Sequence, residues 1–196
     1  MKFNTICIII TLFVSVTTHG QSYRETWQPP EEILDSIGIK PGMMVGEAGA
    51  GTGYFTIPLA KRLGPSGKLY ANDIDENSLH KLKQKLSCED LDNVKIIIGD
   101  YDDPLFPKGK MEMIVMVYVV HDVSEPVIWL KNLKYALRKD APLVIIDRDP
   151  DKYGKEYDHF WKKSRIIDIV ERAGFKLGRV STFLPRDNIY YFKVTD

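Results

Sequence analysis

The sequence predicts an α/β protein with a mostly parallel sheet and helices on both faces of that sheet. Short apolar runs of strand length alternate with longer amphipathic segments of helical spacing, the pattern of repeated strand–helix–strand units. A glycine-rich stretch, residues 49–53, separates the first apolar run from the amphipathic segment that follows it. Acidic side chains recur directly after the apolar runs, where open parallel sheets bind their ligands.

The composition fits one globular domain and excludes a strongly charged partner. The chain has 196 residues, of which 44% are hydrophobic and 28% charged, enough to bury a single core. Basic and acidic residues both number 27, so the net charge is zero. Since there is no basic stripe or long charge run, we expect neither nucleic acid nor an anionic membrane surface as a partner.

The first twenty residues have the three-part layout of a secretory signal. Lys2 gives a short basic start, residues 6–14 are an apolar run, and Thr18 and Gly20 put small residues before a cleavage point at Gln21. We therefore expect a signal peptide over residues 1–20 and a single domain over 21–196. The expected localisation is periplasmic or secreted, with no membrane span after cleavage. An uncleaved anchor and a buried first helix remain alternatives.

The first half of the chain predicts three helices and three strands. Pro29 and Pro30 suit the first turn of a helix that ends before Gly38. The later segments repeat apolar residues at helical spacing or form short apolar runs. The predicted helices cover residues 31–37, 54–63 and 76–87, and the predicted strands cover residues 43–48, 68–72 and 93–98.

The second half predicts the centre and one edge of the sheet. A run over residues 112–118 is apolar almost throughout, as expected for a central parallel strand covered on both faces. Further helices are predicted over residues 125–138 and 157–172, with a strand over 141–147 between them. Residues 175–184 and 189–194 predict an antiparallel hairpin joined by residues 185–188. The predicted sheet thus has seven strands.

The glycine-rich stretch predicts a loop that lets a ligand approach the backbone. A dinucleotide site needs glycines at the first, third and sixth positions, but Gly49, Gly51 and Gly53 occupy the first, third and fifth, and Tyr54 takes the sixth. The P-loop sequence of nucleoside triphosphate enzymes is also missing. The loop therefore predicts a ligand of another kind.

Three motifs resemble those of the class I S-adenosylmethionine (SAM)-dependent methyltransferases. Residues 40–53 contain Lys-Pro-Gly and then Val-Gly-Glu-Ala-Gly-Ala-Gly-Thr-Gly, residues 69–74 read Leu-Tyr-Ala-Asn-Asp-Ile, and residues 99–100 read Gly-Asp. The resemblance extends from about residue 27 to the end of the chain and is strongest to small methyltransferases of the ubiquinone and menaquinone biosynthesis type. It implies a Rossmann-like class I methyltransferase fold.

The resemblance also implies a set of residues that bind SAM. Glu47 would orient the amino-acid end, Asp73 would accept hydrogen bonds from both ribose hydroxyls, and Asp100 would accept one from the adenine amino group. Carboxylates are acceptors, which suits these donors. The alternatives are that the glycines are turn residues, Asp73 a helix cap and Asp100 a solvated acid, although Asp75 is better placed as a cap. The set is completed by Ala48, Gly49, Gly51, Gly53, Ile74 and Tyr101.

The residues of the methyl-acceptor side are less specific. His121 follows the central strand and titrates near neutrality, so it is a candidate general base, although a structural role is as common. Tyr118 is a candidate for the methyl pocket. Tyr23 and Trp27 fit either a lid over the site or a hydrophobic staple at the first helix. His121 and Asp122 are only two adjacent potential ligands, so we predict no metal.

The sequence thus predicts a SAM-dependent methyltransferase that acts on a small or lipophilic acceptor. Arsenic methyltransferases resemble this core but need several thiols, whereas Cys88 would be the single cysteine after signal cleavage. The Asn-Pro-Pro-Tyr type of motif found in enzymes that methylate nucleic-acid amines is missing. Two alternatives remain, namely an exported SAM-fold binding protein without catalysis and an NAD(P)-dependent oxidoreductase, which Tyr54 disfavours.

Overall fold

The computed structural model describes residues 23–153 and 159–195. The predicted signal peptide, residues 1–20, lies outside the described residues. Within the two described ranges, no helix combines the length and the apolar character needed to cross a membrane.

Helices and strands alternate along the chain, as the sequence predicts. The helices are α1 (Pro30–Ile37), α2 (Thr56–Leu63), α3 (Glu76–Cys88), α4 (Pro126–Lys134), α5 (Pro150–Tyr153) and α6 (Lys163–Arg172). The strands are β1 (Met44–Ala48), β2 (Lys68–Asp73), β3 (Val94–Ile98), β4 (Met113–Val117), β5 (Leu143–Arg148), β6 (Phe175–Ser181) and β7 (Asp187–Val194).

The seven strands form one sheet in the order β3-β2-β1-β4-β5-β7-β6. Strands β1 to β5 pair in parallel, and β7 runs antiparallel between β5 and β6. The predicted fold class is therefore confirmed. The strand order reverses between β1 and β4, and this switch point is where open α/β sheets bind their ligands.

Strand β4 shows why the central run of the sequence is apolar throughout. All five of its residues are buried, because successive side chains point to opposite faces and both faces are covered. Met113, Val115 and Val117 pack in the core layer that includes α1 and α2. Ile114 and Met116 pack in the opposite layer, with α4 and α6. Each fully buried side chain of this kind contributes about 1.5–3 kcal/mol.

Two helix boundaries follow directly from cap chemistry. Helix α1 ends at Gly38, whose left-handed backbone (φ +81°) lets its N–H reach the carbonyls of Leu34 and Asp35. Helix α3 begins after Asp75, whose carboxylate accepts from the Asn77 N–H at 3.0 Å. The interpretation of Asp75 as the cap is confirmed, and a cap of this kind is worth ~1 kcal/mol.

The predicted helix over residues 157–172 begins too early. Residues 159–162 are not helical, and α6 starts at Lys163, while residues 157 and 158 lie outside the described part of the chain. The physical reason is Trp161, which is 9% exposed and packs into the core beside α4. Lys162 is extended (φ −62°, ψ 148°), so the chain turns after this anchor before the helix begins.

The predicted hairpin turn over residues 185–188 is also wrong at its second half. Asp187 and Asn188 are the first residues of β7 and pair with Arg148 and Asp147 of β5. Both side chains are buried. Pairing along β5 outweighs the turn-forming composition of this stretch and brings Asp187 to the carboxyl end of the central strands.

Candidate functional site

The carboxyl ends of the central strands surround a cavity of about 310 Å³. The predicted site residues that line it are Gly49, Gly51, Asp73, Ile74, Asp100, Tyr101 and Tyr118. Four predicted residues, Glu47, Ala48, Gly53 and His121, are not part of the lining. Below, the loop side of the cavity means residues 49–53, 73–74 and 100–101, and the tyrosine side means Tyr118 with its hydrogen-bonded neighbours.

Different physical constraints apply to the three glycines of the loop. Gly49, Gly51 and Gly53 all have positive φ, at +76°, +52° and +93°, a region that disfavours side chains. A Cβ on Gly49 would lie 2.0 Å from Val119, and one on Gly53 would lie 2.6 Å from Leu82. A Cβ on Gly51 would meet no described atom within 4 Å. Internal packing therefore requires the outer two glycines, whereas Gly51 borders open space in the cavity.

Asp73 connects the glycine loop to the end of β2. Its Oδ2 accepts from the Gly51 N–H at 2.7 Å, and its Oδ1 accepts from the Asp75 N–H at 3.0 Å. Each carboxylate oxygen has a further lone pair. The carboxylate is thus held in a fixed position at the cavity wall and can still accept hydrogen bonds from a ligand.

The rest of the loop side combines an exposed acid with exposed apolar surface. Asp100 is exposed, and its backbone N–H bonds to the Asp103 carbonyl at 2.7 Å. The side chains of Ile74 and Tyr101 are 50% and 79% exposed, although both are large and hydrophobic. Exposed apolar side chains beside an acceptor suit a flat ring that carries a hydrogen-bond donor.

Glu47 is a buried acid at the end of β1, beneath the glycine loop. It is 1% exposed, and its Oε2 has no hydrogen-bond partner among the described residues. Burial raises the pKa of this carboxyl to about 8, because a low-dielectric environment disfavours the charged form. A buried acid without a full set of partners is a candidate functional group.

On the tyrosine side, Tyr118 is held in an unusual conformation by two partners. Its φ is +61°, which is rare for a residue with a bulky side chain and occurs at functional sites. The hydroxyl donates to Oδ1 of Asp187 and accepts from Arg148 Nη2 at 3.0 Å. Burial, together with the charge of Asp187, raises the pKa of Tyr118 well above its usual range, so the phenol stays protonated.

Asp187 also connects the tyrosine side to the start of the described chain. Its Oδ2 accepts from Gln28 Nε2 at 2.7 Å, and both side chains are fully buried. Gln28 Oε1 in turn accepts from Arg24 Nε at 2.7 Å, and the Gln28 carbonyl accepts from the Tyr54 hydroxyl. One buried carboxylate therefore links the first described segment, β4 and β7.

The two aromatic residues near the start of the chain behave differently. Trp27 is 9% exposed and stacks on Tyr118, with ring centroids 6.3 Å apart. Tyr23 is 62% exposed, and its hydroxyl accepts from Arg186 Nη2 at 3.2 Å. Trp27 thus packs on the ring of Tyr118, while Tyr23 lies at the surface.

His121 lies behind Tyr118 and is paired with the end of β5. Its Nδ1 is 2.8 Å from Oδ2 of Asp147, and the two side chains are 2% and 0% exposed. Burial lowers the pKa of His121, but the hydrogen bond and charge of Asp147 outweigh burial and hold that pKa above its usual range. The imidazole is covered by the edges of His159 and Phe160.

The sequence analysis missed three residues of the tyrosine side: Gln28, Arg148 as a partner of Tyr118, and Asp187. Each acts through a contact between segments far apart in the chain, and Gln28 and Asp187 are separated by 159 positions. No local pattern reports such a pairing. The one signal in the sequence was that Arg148 follows the strand predicted over residues 141–147. Residues that bind ligands collect at the carboxyl ends of such strands.

Comparison with known proteins gives a consistent result. A family model described as "Methyltransferase domain" matches residues 39–174. The chain is 28% identical over 126 residues to the demethylmenaquinone methyltransferase of Geobacillus stearothermophilus, a match that covers 64% of this chain and 54% of the relative. The chain spans about half the length of the curated relatives it matches.

Solved structures agree with the fold. A SAM-dependent methyltransferase from Aquifex aeolicus superimposes with a TM-score of 0.82 and 28% identity, over 88% of this chain and 93% of that one. The pyocyanin biosynthetic protein PhzM superimposes with a TM-score of 0.71 and 18% identity, over 85% of this chain and 54% of that one. At this identity the PhzM likeness concerns the fold alone.

Proposed function

The chain belongs to the methyltransferase-domain family of SAM-dependent enzymes, and on that premise we propose that it transfers the methyl group of SAM to a small, lipophilic acceptor. The observation that carries the proposal is the cavity at the switch point of the sheet, where the glycine loop, Asp73 and Asp100 meet Tyr118. Ligands of open α/β sheets bind at this position.

The residues of the loop side fit SAM. The open space beside Gly51 admits a ligand against the backbone. Asp73 and Asp100 offer carboxylate oxygens to hydroxyl and amino donors, which agrees with the roles that the family resemblance implies. Ile74 and Tyr101 supply apolar surface for the adenine ring. The Glu47 oxygen without a partner suits the amino-acid end, which carries an ammonium group.

SAM supplies a methyl group on a positively charged sulfur, which is already an activated leaving group. The protein therefore has mainly to align the two reactants and exclude water. Trp27 is buried and stacks on the ring of Tyr118. Because the phenol of Tyr118 stays protonated, it would position the acceptor or donate to it and would not remove a proton.

The sequence names His121 as a candidate general base for a methyl acceptor that must lose a proton. Asp147 takes the Nδ1 position, so Nε2 is the atom that such a role would use. His121 does not line the cavity, so this geometry does not favour direct proton transfer from the acceptor.

Two observations support a lipophilic acceptor. The wall of the cavity beyond Tyr118 is rich in apolar residues: Val119, Val123 and Trp129. The relative from Geobacillus stearothermophilus is named for demethylmenaquinone, a lipophilic quinone. We infer an acceptor with a flat apolar body and one nucleophilic atom, small enough to share the cavity with the cofactor.

Calorimetric titration with SAM, its demethylated product and NAD tests the proposal. We expect the first two to bind and NAD to fail, because Tyr54 takes the position at which a dinucleotide loop needs glycine. Transfer of a labelled methyl group to a demethylated naphthoquinone would then establish catalysis. Binding of NAD alone would overturn the methyltransferase assignment. Tight SAM binding with no transfer to any lipid extract would favour a binding protein without catalysis.

We also propose that the chain is exported through residues 1–20. The basic start, the apolar run and the small residues before Gln21 support this. N-terminal sequencing of the protein from whole cells is the direct test, with Gln21 expected as the first residue. A protein that begins at Met1 would contradict cleavage.

A further inference from the structure

Three potential metal ligands meet at the edge of the cavity. His121 and Asp122 lie in the loop after β4, and His159 lies in the segment before α6. One ligand atom from each residue lies within 4.8 Å of the other two. Asp122 Oδ2 is 3.7 Å from His121 Nε2, and Asp122 Oδ1 is 3.4 Å from His159 Nε2. The sequence analysis found only the adjacent pair, because His159 comes from a distant segment.

The orientation of His121 is fixed by a buried carboxylate. Asp147 Oδ2 accepts from Nδ1 at 2.8 Å, and its Oδ1 accepts from the Arg148 backbone N–H at 2.7 Å. With the proton on Nδ1, the Nε2 lone pair points toward Asp122 and His159. A carboxylate that holds the far nitrogen of an imidazole is the usual outer partner of a metal-binding histidine.

We propose that His121 Nε2, the Asp122 carboxylate and His159 Nε2 bind a divalent first-row transition ion such as Zn²⁺. Two imidazoles and one carboxylate are a ligand set that such ions favour. Ligand atoms that share a tetrahedral ion lie about 3.4 Å apart, because each bond is ~2.0–2.1 Å long. The separations of 3.7 Å from Asp122 Oδ2 to His121 Nε2 and of 3.4 Å from Asp122 Oδ1 to His159 Nε2 are close to this value, and one ligand atom from each of the three residues lies within 4.8 Å of the others.

The surroundings keep both imidazoles in place. Phe160 contacts the rings of His121 and His159 edge to face, with centroids 5.0 Å and 5.1 Å away. His121 is 2% exposed, whereas Asp122 and His159 are 58% and 61% exposed. An ion could therefore enter from solvent and bind to a preformed, buried first ligand.

The site would face the methyl acceptor. Asp122 lines the same cavity as Gly51 and Asp73, so an ion held by Asp122 would lie beside that cavity. An acceptor oxygen bound there would lose its proton more easily, since a metal ion lowers the pKa of a bound hydroxyl. This use of the ion rests on the proposed function; binding of the ion does not.

Metal binding excludes the role of His121 as a general base, because both uses need the same Nε2 lone pair. The structure favours the ion for two reasons. First, potential ligand atoms of His159 and Asp122 lie near that nitrogen. Second, the His121 side chain is buried and does not line the cavity. A general base would need neither the second histidine nor the exposed carboxylate.

Calorimetric titration of the chelator-treated chain with Zn²⁺ tests the site. We expect one ion per chain and at least a tenfold loss of affinity in His159→Ala, whose side chain is 61% exposed. Asp147→Asn should lose about 10–100-fold, the range for outer-shell partners. His80→Ala, which removes an exposed histidine on α3, is the matched control and should bind Zn²⁺ like the wild type.

Absorption of the Co²⁺-loaded chain provides a second readout, since tetrahedral Co²⁺ is intensely coloured and the colour should disappear in His159→Ala. Absence of Zn²⁺ binding, or equal affinity in His159→Ala and His80→Ala, would overturn the site. SAM affinity is measured on the same samples. A chain that binds SAM but not Zn²⁺ would refute only the metal site. A chain that binds Zn²⁺ but not SAM would refute only the methyltransferase proposal.

Discussion

The loop side and the tyrosine side of the cavity are built in opposite ways. The loop side consists of backbone turns and carboxylates from residues 49–101, with Asp73 half-buried and Asp100 exposed. The tyrosine side joins Gln28, Tyr118 and Asp187 from distant parts of the chain through buried hydrogen bonds. The loop side is thus organised to bind a ligand, while the tyrosine side also holds the fold together.

One side of the cavity should therefore tolerate substitution, whereas the other side is needed for the stability of the fold. On the loop side, a substitution should change ligand affinity and leave stability nearly unchanged. On the tyrosine side, the same kind of substitution should first destabilise the protein, because buried polar groups lose their partners. Substitutions in and beside the cavity test this division.

Replacement of Asp187 should have the largest effect. Asp187→Ala leaves Gln28, Tyr118 and Arg148 without the carboxylate that they share, and removing one partner of a buried charged network costs about 3–5 kcal/mol. Urea denaturation measures the free energy of unfolding. Asp151→Ala, an exposed acid on α5, is the control and should change stability by less than about 0.5 kcal/mol. Equal stability of both variants would refute the structural role of the tyrosine side.

Glu47 should give the protein a pH-dependent stability. Its folded pKa of about 8 lies above its ordinary value of 4.5, so the folded state binds more protons than the unfolded state between these values. Stability should therefore fall as the pH rises from about 4.5 to about 8.

Glu47→Gln should remove this slope and raise the free energy of unfolding above pH 8 by about 1–4 kcal/mol, on a scale of about 1.4 kcal/mol per pKa unit. Denaturation curves between pH 5 and 9 measure the free energy of unfolding and its slope with pH. Glu32→Gln, at an exposed position of α1, should keep the wild-type slope. A slope that survives in Glu47→Gln would mean that another group causes it.

Asp73 should give the clearest change in binding. Asp73→Ala removes the acceptor at the cavity wall and should weaken SAM by about 1–3 kcal/mol, the cost of leaving polar groups unpaired. Asp75→Ala, two positions along, loses the α3 cap and should cost ~1 kcal/mol of stability with SAM affinity unchanged. Calorimetry and urea denaturation of both variants separate the effects. Equal SAM affinity in the two variants would place Asp73 outside the binding site.

The sequence could predict the sheet and the loop side because their causes are local. Short apolar runs give the strands, Gly51 and its neighbours give the turn, and Asp75 caps the next helix. The tyrosine side escaped prediction because its residues meet only in three dimensions. Asp187 lies in a stretch with turn composition, and its place in β7 depends on pairing with Arg148. The early start given to α6 had a similar cause, since Trp161 is an anchor in the core and not a helical residue.

The hydrogen bond between Gln28 and Asp187 has a consequence for synthesis of the chain. The ribosome makes all the loop-side residues before residue 102, and β1, β2 and β3 can pair early. The tyrosine side must wait until Asp187, 159 positions after Gln28, has emerged. Contacts of such long sequence separation form late, because closing the loop costs entropy before the contact is made. A growing chain therefore completes one wall of its cavity long before the other, because Gln28 is made 159 residues before its partner.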